Sequence, residues 1–302
     1  MQALPQALSN IKNNEVSVFI PFYDRIKYSG KYDVEFLGYF DVPLAWRREY
    51  VGLLRLKSRR KKLRIYFIDN EHYFCRGCVY GCADDGERYA YFAKAALASM
   101  AFIGLQPDII HCHDWQAALV PLLLKTEYHE SFPNAKSVFT IHNIEYQGKY
   151  GADTVEDLFG LNRGDWYESG VLQMDGCVNL MKGAMVTADA VTTVSPTYAQ
   201  EILDPWFSYG LDALLREKQY KLCGILNGID MEANNPATDP KIPFNYDVTN
   251  FEEGKAKCKE ALQDKFGLHK DGSPVFAMVS RMVGMKGFDL VQSVADGLVD
   301  RG

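Results

Sequence analysis

The sequence predicts an α/β protein built on a parallel, doubly wound sheet. Three observations carry that prediction. Short apolar or β-branched runs alternate with helical stretches along most of the chain, the pattern of repeated βαβ units. Two successive runs end in clusters of His, Asp and Asn, at the strand ends where open α/β sheets bind ligands. At 302 residues the chain has room for one large domain or about two.

Taken in order, residues 16–20 (Val-Ser-Val-Phe-Ile) read as a strand closed by Pro21, and residues 31–40 as a looser one. The basic run Arg55, Lys57, Arg59, Arg60, Lys61, Lys62 and Arg64 reads as a solvated turn feeding a strand at 63–68, with a polyanion site as the alternative. Asp84-Asp85-Gly86-Glu87 opens a helix over 89–103, its acids suiting the helix dipole. A short buried strand at 108–110 leads through a polar turn into an apolar helix at 120–125. Residues 136–141 form another strand, 175–189 a helix, 190–196 a β-branched strand, 198–203 a short helix, and 223–230 a strand ending in a turn signal. Residues 231–250, rich in Asn and Pro and without an apolar period, read as a linker. An amphipathic helix at 251–266, a strand at 274–279, a loop at 282–287 and a helix from Phe288 then begin a second α/β unit. One strand and two helices cannot enclose a core, so the chain reads as a fragment.

The formal charge of −6 disfavours a nucleic-acid partner. No apolar run is long enough to span a bilayer, and the N-terminus lacks a basic region and a cleavage pattern. Seven Cys, an odd number without a secretion signal, point to reduced thiols and a cytoplasmic setting. His72, Cys75, Cys78 and Cys82 have metal-like spacing, but no second Cys-x-x-Cys accompanies them, so incidental or buried thiols are the expectation and no metal is assigned.

The polar clusters hold the candidate site residues. His111-Cys112-His113-Asp114-Trp115 reads either as a helix cap over a packed Trp or as one wall of a site. His142-Asn143-Ile144-Glu145-Tyr146-Gln147-Gly148 repeats the motif at the next strand end, which caps alone explain poorly. Arg281 and Lys286 flank a turn with Gly284 and Gly287 at a helix start, where two cations and free N–H groups suit a phosphate. A surface Arg and Lys on a loop is the alternative. There is no P-loop, no first-strand Gly-x-Gly-x-x-Gly, no Gly-x-Ser-x-Gly elbow and no Asp-x-Asp metal pair.

These pieces resemble, in order, the bacterial glycogen synthase and plant starch synthase family. The resemblance rests on Ala3-Leu4-Pro5-Gln6-Ala7-Leu8; Tyr80-Gly81 with Asp84-Asp85-Gly86-Glu87-Arg88; His111 to Trp115; Ser137 to Asn143 with Tyr146-Gln147-Gly148; Asn179 with Lys182-Gly183-Ala184; Thr192 to Ala199; Leu226-Asn227-Gly228-Ile229-Asp230; and Ser280-Arg281 with Lys286-Gly287. It implies a GT-B fold: two Rossmann-like, doubly wound domains facing across a cleft. The N-terminal, acceptor-side catalytic domain would be residues 1–230, lacking its first strand. A linker at 231–250 and the start of a nucleotide-sugar domain at 251–302 would follow.

The implied reaction is retaining transfer of glucose from ADP-glucose or UDP-glucose to the 4-OH end of an α-1,4-glucan, without metal or cofactor. His113 and Asp84 take the catalytic positions in that resemblance, and Arg281 and Lys286 hold the donor diphosphate. Asp114, Trp115, His142, Asn143, Tyr146, Gln147 and Asn227 line the sugar cleft. The family's Lys-x-Gly-Gly-Leu phosphate loop and its late Glu and Gly-rich turn are not in this sequence, so the chain alone is expected to be inactive. The alternatives are a related glycosyltransferase with another acceptor and a non-catalytic glucan-binding remnant.

Overall fold

The computed structural model describes residues 3–300. The chain divides between Gly228 and Ile229 into two compact units.

The first unit opens with a helix, Ala3–Asn10, and then β1 (Val16–Pro21), β2 (Val34–Leu44), β3 (Arg47–Leu56) and β4 (Leu63–Asp69). These form a sheet in the order β1-β4-β3-β2. Only β1 and β4 are parallel, Val16 lying opposite Leu63; β3 is antiparallel to both of its neighbours. This sheet is therefore mixed, which corrects the all-parallel expectation. The cause is a hairpin that the sequence hides. β2 turns into β3 at Ala45-Trp46, and Ala45 takes a left-handed φ of 53° without the Asn or Gly that normally signals such a turn. The basic run is likewise split: Arg55 lies in β3, Arg64 in β4, and the solvated turn is 57–62.

Downstream come β5 (Ile109–His113), β6 (Lys136–Ile141), the short β7 (Lys149–Tyr150), β8 (Gln173–Met174) and β9 (Cys177–Asn179), then β10 (Ala190–Thr193) and β11 (Leu222–Gly224). The order β11-β10-β6-β5 makes a second sheet, parallel throughout. The outer edges of β1 and β5 pair with no other described strand. Two expectations need correction here. The helix anticipated at 175–189 begins only at Leu180. Its first residues are a hairpin instead, turning on Asp175 and Gly176 with φ of 52° and 76°, the Asp-Gly signature of a type I′ turn. The strand anticipated at 223–230 stops at Gly224, and the chain beyond it has no ladder partner.

The helix Asp85–Phe102 organises the core. Thirteen of its 18 residues are buried, so it is enclosed nearly all round and its ions must be paired. Arg88, fully buried, donates to Asp85 at 2.7 Å and to the Tyr73 carbonyl at 2.9 Å. Lys94 reaches Glu127 at 2.7 Å.

In the second unit the helix Phe251–Phe266 forms as its pattern requires and ends on Gly267 in the left-handed conformation. The strand anticipated at 274–279 does not form. No described strand offers it a ladder, and Phe276 and Val279 are exposed. A 3-10 turn, Gly284–Lys286, leads into the helix Phe288–Val299, whose apolar positions Leu290, Val291, Val294 and Leu298 are exposed. Among the described residues of this unit only Gly254 and Gln263 are buried. No helix among the described residues is long and apolar enough to cross a membrane.

Candidate active site

The parallel register of the second sheet brings its strand ends level. His113 lies opposite Thr140, and Thr193 opposite both Ile141 and Gly224. The loops after β5 and β6 therefore leave the sheet side by side. Side-chain alternation puts His111 and His113 on one face of β5, their rings 4.2 Å apart. His111 Nε2 meets Thr140 Oγ1 at 2.6 Å, and Thr140 meets Thr192 at 2.6 Å. His113 Nδ1 lies 3.0 Å from His142 Nε2, so one ring donates and the other accepts. His111 belongs to the anticipated cluster, where the i, i+2 spacing of His111 and His113 is a readable signal; Thr140 and Thr192 were not among the anticipated site residues.

Burial, with the charges of His111 and His142 beside it, pushes the His113 imidazole down to about 3. Burial and His142 also hold His111 below its ordinary value. Near neutral pH the His113 ring is therefore uncharged. It can donate or accept a hydrogen bond but cannot serve as an imidazolium acid. Such a group suits neutral hydroxyls better than anions.

Asp114 sits at the strand end with φ 55° and ψ −178°, a region almost confined to glycine. Its N–H donates to the Thr140 carbonyl at 2.9 Å. Its Oδ1 accepts from His142 N–H at 2.8 Å and from Asn143 N–H at 3.4 Å. Asp114 thus ties the β5 loop to the β6 loop and positions His142 next to His113; it does not cap the helical turn that follows. Asn143 in turn accepts from Glu145 N–H at 3.0 Å.

Two of the anticipated cleft residues are largely buried. Trp115, 8% exposed, packs edge-on to Tyr89 at 5.2 Å. A Cβ on Gly148 would come within 2.8 Å of the Trp115 ring, which is why that turn carries glycine. Gln147, 3% exposed, is held by Asn179 at 2.7 Å and donates to the Tyr209 carbonyl. Their side chains pack and hydrogen-bond within the core. Tyr146 is exposed.

Asp84 belongs to the loop before the long helix. Burial raises its pKa, but the bond and charge from Arg76 outweigh that and hold the carboxyl below its usual range. It stays ionised, which suits an electrostatic role and not that of a proton donor. No hydrogen bond joins Asp84 to His113; their segments meet one layer down, through Tyr89 and Trp115. Asn227 is exposed beyond β11. Arg281 and Lys286 lie in the second unit, both exposed, Arg281 before the turn that precedes the last helix and Lys286 at its end. In the same loop as Asp84, Cys78 and Cys82 are joined by a disulfide. This corrects the expectation of reduced thiols throughout and removes both sulfurs from the metal-like spacing.

A family model described as the starch synthase catalytic domain matches residues 1–217. The chain belongs to the starch synthase catalytic domain family. It is 45% identical over 302 residues to a glycogen synthase of Streptococcus agalactiae serotype Ia, covering 99% of this chain and 62% of that protein. It is 46% identical over 293 residues to a glycogen synthase of Streptococcus equi subsp. zooepidemicus, covering 96% and 60%. Among solved structures, it resembles the catalytic domain of Arabidopsis thaliana starch synthase IV, bound to ADP and acarbose, with a TM-score of 0.89 and 33% identity over 98% of this chain and 61% of that one. The chain thus spans about 62% of the length of the first of these relatives. Family membership and strand-end geometry agree on one point: the His113 and His142 loops lie within the part of the chain that the starch synthase model matches.

Proposed function

We propose that this chain is part of a glycogen synthase of GT-B type. It would transfer glucose, with retention, from ADP-glucose or UDP-glucose to the 4-OH end of an α-1,4-glucan. The observation that carries this reading is the 45% identity to a glycogen synthase across 99% of the chain. The uncharged His113, hydrogen-bonded to His142 at aligned strand ends, supports it, because that chemistry matches sugar hydroxyls. The ADP and acarbose held by the Arabidopsis relative support a nucleotide-sugar donor and a glucan acceptor.

In this reading His113 binds a hydroxyl of the transferred glucose. The ionised Asp84 favours the positive charge that develops on the sugar as the glycosidic bond breaks. Arg281 and Lys286 stabilise the charge that develops on the leaving diphosphate, an interaction stronger in the transition state than in the ground state. These fixed cations serve in place of a metal. Asp114 positions His142, and through it His113; Asn143, Tyr146 and Asn227 border the sugar. Residues 1–230 act as the acceptor-side domain, with a linker at 231–250 and the start of the donor domain at 251–302. The protein works in the cytoplasm without membrane or nucleic-acid partners. The 302-residue chain alone does not turn over.

The test measures transfer from ADP-[14C]glucose and UDP-[14C]glucose to glycogen. It compares this chain alone with this chain joined to the flanking segments of the S. agalactiae relative. The joined protein should label glycogen and the chain alone should not. Label entering only other acceptors would replace this reading with a different glycosyltransferase. Glycogen binding by a folded, joined protein that never turns over would replace it with a non-catalytic glucan binder.

A further inference from the structure

The loop between the short helix Glu71–Phe74 and the long helix Asp85–Phe102 has features that the sugar chemistry does not use. It carries three cysteines, and two of them, Cys78 and Cys82, are bonded across a five-residue ring. The ring is strapped to the long helix at several points. The fully buried Arg88 donates to the Cys78 carbonyl at 3.3 Å, and Tyr89 donates its hydroxyl proton to the Val79 carbonyl. Gly81 N–H donates to Asp85 at 2.6 Å, and Asp85 N–H to the Cys82 carbonyl at 3.1 Å. Gly81 turns the ring with a φ of 92°, where a side chain would be strained although it would meet no neighbour. Arg76, two residues before the ring, pairs with Asp84, two residues after it.

We infer that Cys78 and Cys82 form a reversible thiol–disulfide site, open to low-molecular-weight disulfides, that fixes the segment carrying Arg76 and Asp84. Three facts support the pairing. The straps hold the backbone of residues 78–82 against the long helix, which gives ring closure a high effective concentration. Both cysteines are partly exposed, and Tyr80, Gly81 and Ala83 around them are exposed, so a small disulfide has access. Burial pushes the pKa of the third thiol in the loop, Cys75, up, which lowers its thiolate fraction. Cys82 also lies within 4.8 Å of the Asp84 and Asp85 carboxylates, but Arg76 and Arg88 already engage them.

The exchange proceeds in two steps. One thiolate attacks the small disulfide, releasing one thiol and leaving a mixed disulfide. The second thiolate displaces the other thiol and closes the ring. The protein loses two electrons and two protons, and the small disulfide leaves as two thiols. The ring then constrains the segment that carries Arg76 and Asp84. Any consequence for activity rests on the glucosyltransferase reading; the redox chemistry does not.

Trypsin makes the test direct. Residues 77–88 form one tryptic peptide containing Cys78 and Cys82, while Cys75 falls in the peptide ending at Arg76. The 302-residue chain is equilibrated in graded mixtures of reduced and oxidised glutathione, quenched in acid, alkylated and digested. The 77–88 peptide should appear in two forms only, with both sulfurs alkylated or with neither alkylated and two hydrogens fewer, sharing one midpoint. Amide exchange over 76–86 should be about tenfold slower in the oxidised chain, and Cys82→Ser should remove that difference. A 77–88 peptide fully alkylated at every poise, carrying glutathione, or linked to the Cys75 peptide would overturn the inference. So would exchange over 76–86 that ignores the redox state. None of these readouts requires glucosyl transfer, so they fail independently of the functional reading.

Discussion

Substituting Asp114 separates two opposed terms that meet at one residue. The native backbone, at φ 55° and ψ −178°, costs any non-glycine residue about 1–3 kcal/mol. Against that, the carboxylate accepts from His142 N–H at 2.8 Å and more weakly from Asn143 N–H at 3.4 Å. A charged acceptor of this kind is worth roughly 1.5–3 kcal/mol. Asp114→Ala loses the acceptor and keeps the strain, so it should destabilise by about 2 kcal/mol. Asp114→Gly loses the same acceptor but releases the strain, less up to ~1 kcal/mol for the extra freedom of glycine in the unfolded chain. The glycine variant should therefore be the more stable of the two, by about 1 kcal/mol from the middle of these ranges, the reverse of the usual order. In a unit of this size that is about 2–4 °C in Tm, readable by urea unfolding and thermal melts side by side. A glycine variant no more stable than the alanine variant would show that Asp114 is not held in a costly conformation.

Three further outcomes follow from the same geometry. The His113 pKa falls to about 3 in the folded chain from about 6.5 unfolded, so the unfolded state binds the extra proton as pH drops. Stability is unaffected above about pH 6.5 and should fall by roughly 2 kcal/mol by pH 5 from this group alone; His113→Asn should flatten that slope, and equal slopes would contradict it. Arg88→Met strands the buried Asp85 carboxylate and should cost about 3–5 kcal/mol in urea unfolding, with a loss under about 1 kcal/mol counting against a buried pair. Gly224→Ala would place a Cβ 2.3 Å from the Ser195 carbonyl oxygen and 2.5 Å from Pro196 Cα; both are backbone, so about 1–3 kcal/mol should be lost, and a neutral result would mean β11 can shift away from that loop.

Much of the site and part of the fold were readable in the residues. The parallel strands at β6 and β10 follow from β-branched runs between helical periods, and the strand-end position of His113 and His142 follows from where those runs stop. What escaped has particular causes. The β2–β3 hairpin turns on Ala45, whose left-handed backbone no residue type announces. The β8–β9 hairpin was announced, by Asp175-Gly176, but a helical apolar period overlapped it. The anticipated strand at 274–279 has the right residues and lacks a partner, since a strand is a property of its neighbours as much as of itself. In the site, residue type does not announce burial: Trp115 and Gln147 read as sugar contacts and are largely buried. Asp114 looks like a cap and is a tie between two loops. The role of a polar residue at a strand end depends on which backbone groups lie within reach, and that is set by the register of β5 against β6.

The central proposal is that the His113–His142 cluster is the sugar side of a glucosyltransferase. The most direct measurement is kcat/KM for glucose transfer from the preferred nucleotide-glucose to glycogen. It compares the joined protein carrying His113→Asn with its parent, after circular dichroism establishes that both are folded. Losing a positioned hydrogen bond to the reacting sugar should lower kcat/KM about 10²-fold or more, with glycogen affinity unchanged. A His113→Asn protein within about threefold of its parent would contradict the assignment and leave the histidines as core residues.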